Sequence, residues 1–369
     1  MGHVFPMIPL AWALRAAGHE VLVATAGDAL AAKDAGLPVV DLVPGFDIKV
    51  LYGQVLRDNP ELAKEMEAGM KVTDLRDPVV LSRLALVSMM LTDGAVALAE
   101  QWKPDVVVES MILGAGHVVA GKLGIPLFAH GFGFARGGGL APRWREYLAA
   151  QFQQHGAELP ERTGYIDIAP PSMLHEQPTG WSMRFVPYNA GGVLPDWARR
   201  TPERRQIVVT LGTIAPIMSG LGPVERLLAA APDIDADFIL ALGSADTSGL
   251  GAMPSNVRVV DWIPLDALLQ HSPLLIHHGG AGSTLTALAM GVPQIALPSG
   301  ADRYINAIAM HDSGAGVSVE EDELDAALIE RVLTDDKIRH EAGRIRDEIA
   351  GLPTPGTVAE RLHEFVVQR

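Results

Sequence analysis

The 369-residue sequence contains no cysteine, which excludes disulfide bonds, thiol catalysis and cysteine-ligated metal sites. Basic residues are also scarce: 29 Lys and Arg stand against 44 Asp and Glu, giving a formal net charge of −15 at pH 7. Nucleic acids and anionic membranes bind basic surfaces, so we expect neither as a partner. A small anionic ligand stays compatible with this charge, because a local pocket can oppose the overall balance.

Long uninterrupted apolar runs are missing as well. Runs such as Met7–Leu14 are far shorter than the roughly 20 residues of a membrane-spanning helix. The chain also has no basic segment followed by an apolar stretch and a small-residue cleavage site, which a secretory leader would have. We therefore expect a cytoplasmic protein that does not contact the membrane.

The residues that are present suit two globular domains. Hydrophobic residues make up 48% of the chain and charged residues 20%, which leaves ample material for two cores. Short β-branched or apolar runs alternate with helical patterns in roughly the first 135 residues and again over residues 206–317. This alternation indicates α/β domains with doubly wound parallel sheets covered by helices on both faces.

The predicted strands are Glu20–Ala24, Val39–Leu42, Asp105–Val108, Pro126–His130, Gln206–Thr210, Asp237–Ala241, Val257–Val260, Leu274–His277 and Gln294–Leu297. The predicted helices are Ile8–Ala17, Val87–Gln101, Gly114–Leu123, Val224–Ala231, Ser283–Met290 and Ala326–Leu333, with a last amphipathic helix after Pro355.

A stretch rich in Gly, Pro and Trp, Pro170–Pro202, is typical of a surface crossing between domains. We expect an N-terminal domain over 1–200, a C-terminal domain over 201–352, and a helix within 353–369 that packs back toward the N-terminal domain. The chain enters a helix almost directly after Met1, whereas a doubly wound domain normally begins with a central strand. We expect that first strand to precede the sequence given.

The segment from Leu274 to Thr284 predicts an anion site. A buried strand ends in His277 and His278, and a glycine-rich loop then opens a helix near Ser283. Helix N-termini present unpaired N–H groups and a positive dipole, glycines let the backbone approach an anion, and a histidine can donate to a phosphate oxygen. The same pattern also fits a tight strand-to-helix turn with one buried structural histidine.

The segments around this turn narrow the interpretation. Trp262-Ile263-Pro264 lies upstream, Gly291-Val292-Pro293-Gln294 and Asp302-Arg303 lie downstream, and Thr210-Leu211-Gly212-Thr213 follows an earlier strand. Together they resemble the nucleotide-sugar signature of the family 1 glycosyltransferases, in particular the branch that decorates bacterial macrolides and aromatic polyketides. The resemblance implies the GT-B fold, in which two Rossmann-like domains face a cleft.

The resemblance implies roles for individual residues of the donor site. Trp262 would stack on the pyrimidine base, with the backbone of Ile263 pairing to its edge, and His278 would contact the diphosphate. Asp302 would hold sugar hydroxyls, whereas Arg303 stands where relatives often carry glutamine and cannot accept a hydrogen bond. This departure favours a deoxysugar on thymidine diphosphate (TDP). The remaining donor contacts implied are Gly280, Gly282, Ser283, Thr284 and Thr213.

On the acceptor side, the resemblance implies that His3 is the general base, since Gly2-His3 is similar to the family's glycine-histidine pair. An imidazole with a pKa near neutrality suits this work. Glu109 and Ser110 stand where many relatives have an aspartate, so Glu109 would orient His3 or Ser110 would relay through water. The expected aglycone-lining residues are Met66, Met70, Met89, Met90, Phe132 and Phe134, although methionines at helical spacing also suit an ordinary core.

The implied reaction is inverting transfer of a sugar or deoxysugar from a nucleoside diphosphate to a hydroxyl of a small aglycone. It would use neither a metal nor a cofactor, because the helix dipole and His278 stabilise the leaving diphosphate. Four alternatives stay open: C-glycosylation of an aromatic ring, a sugar-nucleotide epimerase, a catalytically silent nucleotide-sugar-binding partner of another enzyme, and, for assembly, a homodimer.

Overall fold

The structure is a computed structural model that describes residues 1–47, 50, 57, 72, 74–176, 180–212, 222–243 and 248–368. The chain folds into two compact units. Unit 1 comprises Met1–Pro171, His175–Arg184 and Leu352–Arg369, and unit 2 comprises Ser172–Leu174 and Phe185–Gly351. Both units are built from parallel sheets and helices, which confirms the expected α/β class.

The strands in the described residues are β1 (Val23–Thr25), β2 (Val39–Asp41), β3 (Val107–Ser110), β4 (Leu127–His130), β5 (Thr163–Asp167), β6 (Trp181–Ser182), β7 (Gln206–Thr210), β8 (Asp237–Ala241), β9 (Val257–Val260), β10 (Leu275–His277), β11 (Gln294–Ala296) and β12 (Gly316–Ser318). The α-helices there are α1 (Ile8–Ala16), α2 (Pro78–Trp102), α3 (Ala115–Leu123), α4 (Leu140–Tyr147), α5 (Ala149–His155), α6 (Gly222–Ala230), α7 (Leu265–Leu269), α8 (Ala281–Met290), α9 (Arg303–Asp312), α10 (Ala326–Thr334), α11 (Asp336–Gly351) and α12 (Pro355–Val367).

Unit 1 holds two parallel sheets. In the part of the chain that the structure describes, β1 pairs only with β2, and β3 to β6 form a four-stranded sheet in chain order. The core beneath the larger sheet joins residues of α2 and α3 to the fully buried Trp144 and Phe152 of α4 and α5. Helix α12 packs on α1 in the same unit. A further strand ahead of Met1 stays a prediction.

Helix α2 is long enough to span a membrane, although no uninterrupted apolar run in the sequence is that long. It is 25 residues long and, by length and composition alone, apolar enough to cross a membrane. Its Leu81, Ala85, Val96 and Ala99 are buried in the core of unit 1, and it packs on α3, α4 and α5. These contacts are those of a core helix.

Unit 2 holds one six-stranded parallel sheet in the order β12-β11-β10-β7-β8-β9. The strands are short, and all but the edge strand β9 are mostly buried, because helices cover both faces. Ile207 and Val208 on successive positions of β7 belong to separate clusters. Strand β10 lies between β7 and β11, with His277 in register with Thr210 and Ala296. The carboxyl ends of β7 and β10 therefore meet at the centre of the sheet edge.

Three observed strands, β5, β6 and β12, were not predicted from the sequence. Strands β5 and β12 contain Gly164 and Gly316, whose low strand propensity hides them. Both glycines are required by close approach: a Cβ on Gly164 would lie 2.2 Å from the Phe128 ring, and one on Gly316 would lie 2.3 Å from the carbonyl oxygen of Gln294. The sequence signal for a strand was lost because the packing demands glycine.

The same kind of contact yields a test of the fold in unit 1. In α3, a Cβ on Gly121 would lie 1.6 Å from the backbone oxygen of Glu158, so Gly121→Ala should lower the free energy of unfolding by roughly 2 kcal/mol or more. Gly343 in α11 has open space and an ordinary helical backbone, so Gly343→Ala should raise it by about 0.5–1 kcal/mol. Urea unfolding of both variants measures this. Equal effects of the two changes would contradict the packing described for α3.

Candidate active site

The turn after β10 in unit 2 is built by glycines. Gly279 has a φ of +78°, which favours glycine, and a Cβ there would lie 2.9 Å from the carbonyl oxygen of Arg303. Gly280 follows as the N-cap of α8 in an extended conformation. The turn thus lies against the start of α9, and α8 begins directly after it.

His278 is held between two glycines. A Cβ on Gly212, which follows β7 at a φ of +68°, would lie 2.8 Å from Nε2 of His278, and one on Gly280 would lie 2.5 Å from the same atom. The ring therefore occupies the space that side chains at these positions would fill. Its Nδ1 is buried without a hydrogen-bond partner among the described residues.

His277 serves the turn itself. It is fully buried, and its Nδ1 accepts a hydrogen bond from the backbone N–H of Gly279 at 3.2 Å. Burial lowers the pKa of His277 to about 4, so the ring is neutral at physiological pH and its Nδ1 can act as the acceptor. Of the two histidines, only His278 is partly exposed, and its contact with a phosphate stays a prediction.

The electrostatics around His278 favour an anion. Burial is the main cause that lowers the pKa of His278 well below its usual value, and the positive charge of Arg303 is the next. Arg303 is partly buried, and its guanidinium donates to the backbone oxygen and the hydroxyl of Ser299. A fixed positive charge and a neutral imidazole thus lie beside the N-terminus of α8.

The first turn of α8 offers free backbone donors, but not at every position predicted. Gly282 is exposed and Ser283 is half-buried, and N–H groups in the first turn of a helix lack partners within the helix. The donor role predicted for Thr284 is wrong. Thr284 is fully buried, and both its N–H and its hydroxyl donate to the carbonyl oxygen of Gly280, at 2.9 and 3.0 Å. It has no donor left for a diphosphate.

Asn306 is a residue that the sequence reasoning missed. It is fully buried in α9, and its Nδ2 donates to Asp302 Oδ2 at 2.8 Å and to the carbonyl oxygen of Gly279 at 3.2 Å. It thereby ties the predicted sugar-binding acid to the glycine turn. Ala301, just before this acid, has a φ of +53°, a costly conformation for a residue with a Cβ. A polar residue one helical turn after Asp302 was the available signal for Asn306.

Trp262 presents a fixed, partly open indole in unit 2. Its side chain is 43% exposed, and its Nε1 donates to the backbone oxygen of Asn189 at 3.1 Å. Ile263 packs against a core cluster of unit 2. The anchored edge leaves the ring face for stacking, as the predicted base contact requires. The predicted contact Thr213 lies outside the described residues.

In unit 1 the structure brings two predicted acceptor-side residues together. The rings of His3 and Phe132 meet edge to face with 4.4 Å between their centroids, His3 being exposed and Phe132 buried. Phe134 is buried, Met89 packs against the core and Met90 is 39% exposed. Met66 and Met70 lie outside the described residues.

The contacts of Glu109 correct the role expected for it. Its Oε1 lies 2.6 Å from His117 Nδ1, and its Oε2 accepts from the backbone N–H of Gly116 at 2.8 Å. A Cβ on Gly116 would lie 2.7 Å from the carboxylate, which seats Glu109 against the start of α3. Both oxygens have partners there, so in this structure Glu109 orients His117. Ser110, by contrast, is buried with no described partner for its Oγ.

Comparison with known proteins decides the family. The model of the N-terminal domain of Erythromycin biosynthesis protein CIII-like proteins matches residues 12–212, and the model of their C-terminal domain matches residues 225–365. The chain belongs to the EryCIII-like family. Its members are glycosyltransferases of antibiotic and polyketide glycosylation with the GT-B fold, and this chain is therefore a glycosyltransferase, as the resemblance implied.

Individual glycosyltransferases are similar to this chain over nearly its whole length. Elloramycin glycosyltransferase ElmGT of Streptomyces olivaceus is 42% identical over 366 residues, which span 98% of this chain and 94% of the relative. The crystal structure of SnogD from Streptomyces nogalater is similar at a TM-score of 0.86 and 37% identity, covering 99% and 96% of the two chains. That of VinC in complex with dTDP is similar at 0.80 and 28%, covering 100% and 97%.

The buried histidines predict how stability depends on pH. Burial lowers the pKa of both His277 and His130 to about 4, against about 6.5 in an unfolded chain. Below pH 6.5 the unfolded state binds more protons than the folded state. The free energy of unfolding is therefore highest above that pH, and each histidine lowers it by up to about 3 kcal/mol as the pH falls to about 4. In His277→Asn, whose Oδ1 can still accept from Gly279, urea unfolding from pH 7 to 4.5 should show a flatter dependence. An unchanged slope would contradict the neutral buried state.

Proposed function

We propose that this glycosyltransferase moves a deoxysugar, with inversion, from a TDP-sugar to a hydroxyl group of a small polyketide-type aglycone. The observation that carries the proposal is the position of His278, held between Gly212 and Gly280 beside the N-terminus of α8. Such a site suits a diphosphate, because the charge that develops on the leaving group meets backbone donors and an imidazole already in place.

The donor side of the proposal rests on Trp262 and Arg303. An exposed indole with an anchored edge suits a pyrimidine base, and VinC, a similar structure, was obtained with dTDP. Arg303 can only donate, and its guanidinium is engaged by Ser299. It adds positive charge near the diphosphate but accepts nothing from a sugar hydroxyl, which favours a sugar with fewer hydroxyls.

On the acceptor side, we assign the proton transfer to His3. Its imidazole takes the proton of the aglycone hydroxyl as the oxygen attacks the anomeric carbon, and the bond to the diphosphate oxygen breaks. The edge-to-face contact with Phe132 holds the ring against a buried aromatic and leaves the imidazole exposed. His278, neutral in the free protein, donates a hydrogen bond to the departing diphosphate. A cytoplasmic location and a homodimer stay predictions of the sequence.

A panel assay tests the function. The protein is incubated with TDP- and UDP-sugars and hydroxylated polyketide aglycones, and nucleoside diphosphate release and aglycone mass are followed. We expect transfer with at least one TDP-deoxysugar. His3→Ala should leave TDP affinity unchanged and lower kcat by about 100-fold or more, because a general base contributes that much. His278→Ala should weaken TDP binding by roughly tenfold or more, because a hydrogen bond to a charged group is lost.

The exposed His340 supplies the control for these variants, since His340→Ala should change neither quantity. TDP binding without transfer across the whole panel would favour the catalytically silent binding protein. Full turnover in His3→Ala would refute the assignment of the base while leaving the transferase activity intact.

A further inference from the structure

Two buried side chains on neighbouring strands of unit 1 each carry a polar atom for which the described residues supply no hydrogen-bond partner. Ser110 ends β3 and His130 ends β4, and the two residues are in register. Ser110 is 5% exposed and His130 is 1% exposed, and neither Ser110 Oγ nor His130 Nε2 has a hydrogen-bond partner among the described residues. Residues in register on adjacent strands project to the same face of a sheet, so the two groups are neighbours.

The protonation of His130 follows from its contacts. Its Nδ1 lies 2.6 Å from the carbonyl oxygen of Gly131, and a carbonyl only accepts, so Nδ1 carries the hydrogen. Burial lowers the pKa of His130 to about 4, which keeps the ring neutral. Nε2, which has no partner among the described residues, is then a hydrogen-bond acceptor that can bind a donor group. As a weak base, it is suited to holding a hydroxyl group and not to deprotonating it.

Two other buried polar side chains of unit 1, Ser88 and Asp167, have partners for their hydroxyl and carboxylate groups. Ser88 Oγ donates to Leu84 O and accepts from Gly114 N, both at 3.0 Å. Asp167, at the end of β5, pairs with Arg136 and accepts from Ala169 N. A buried polar group without a partner is costly, so proteins rarely leave one empty. Two such groups side by side indicate a site for a ligand group.

We propose that Ser110 and His130 together bind one hydroxyl group of the aglycone other than the one that is glycosylated. A hydroxyl satisfies both partners at once: its hydrogen donates to His130 Nε2 and its oxygen accepts from Ser110 Oγ. A ketone or methyl ether has no hydrogen for His130. The pair adjoins the proposed acceptor side, because Phe132, two residues after His130, contacts the ring of His3.

This inference rests on the proposed function, since it assumes that unit 1 binds the acceptor, but its test needs no donor. Binding of 1,2-dihydroxyanthraquinone and of its two monomethyl ethers is followed by fluorescence quenching. Ser110→Ala removes only the orphan oxygen. His130→Asn keeps a donor for the Gly131 carbonyl in the place of Nδ1 and removes Nε2. Each variant should bind the dihydroxy compound about 5- to 10-fold more weakly, as the loss of one hydrogen bond predicts.

Ser88→Ala is the matched control, because the hydroxyl of Ser88 is hydrogen-bonded within the protein. Ser88→Ala should lower the unfolding temperature and leave the affinity unchanged. Ser110→Ala should weaken the affinity without lowering the unfolding temperature. At least one methyl ether should bind wild type no better than the variants bind the dihydroxy compound. Equal affinity of wild type, Ser110→Ala and His130→Asn for the dihydroxy compound would refute the proposal that Ser110 and His130 bind an aglycone hydroxyl. It would indicate that the two side chains bind only water. Failure of sugar transfer in the panel assay would instead refute the proposed function, since binding is measured without it.

Discussion

The candidate donor site of unit 2 depends on how closely its backbone approaches the ring of His278. Gly212 after β7 and Gly280 before α8 lie so near the imidazole that a Cβ on either would collide with it. Because β7 and β10 are hydrogen-bonded neighbours, the sheet sets the distance between these two glycines. The position of His278, the proposed phosphate contact, is thus a consequence of strand pairing, and the N-terminus of α8 follows from the same turn.

The geometry of this turn could be predicted from the sequence because its parts are local. Strand end, glycines and helix start are consecutive in the chain, so a pattern of adjacent residues was enough to predict the turn and to propose His278 as its phosphate contact. Asn306 escaped because its partners, Asp302 and the carbonyl of Gly279, meet only after α9 packs on the turn. Thr284 was misassigned for the opposite reason: its hydroxyl turns back to its own helix, as threonines in helices often do.

In the fold, too, local features could be predicted from the sequence and features that depend on long-range packing could not. Strands rich in apolar and β-branched residues, such as β7, β8 and β9, were predicted to the residue, whereas β5 and β12 were missed because neighbouring atoms require Gly164 and Gly316. Glu109 shows the limit of a resemblance: its place in the sequence suggested a partner for His3, but its carboxylate is bound by the first turn of α3. Long-range packing decided each of these cases, and no single-sequence pattern carries that information.

The measurement that tests this account most directly is calorimetric titration of TDP into wild type and Gly280→Ala. The backbone of Gly280, with a φ of −64° and a ψ of 139°, is allowed for alanine, so the substitution acts through the added methyl group that displaces His278. We predict that TDP binds about tenfold more weakly to the variant, with unchanged secondary structure by circular dichroism. Wild-type affinity in Gly280→Ala would contradict the claim that the two glycines place His278 for the diphosphate.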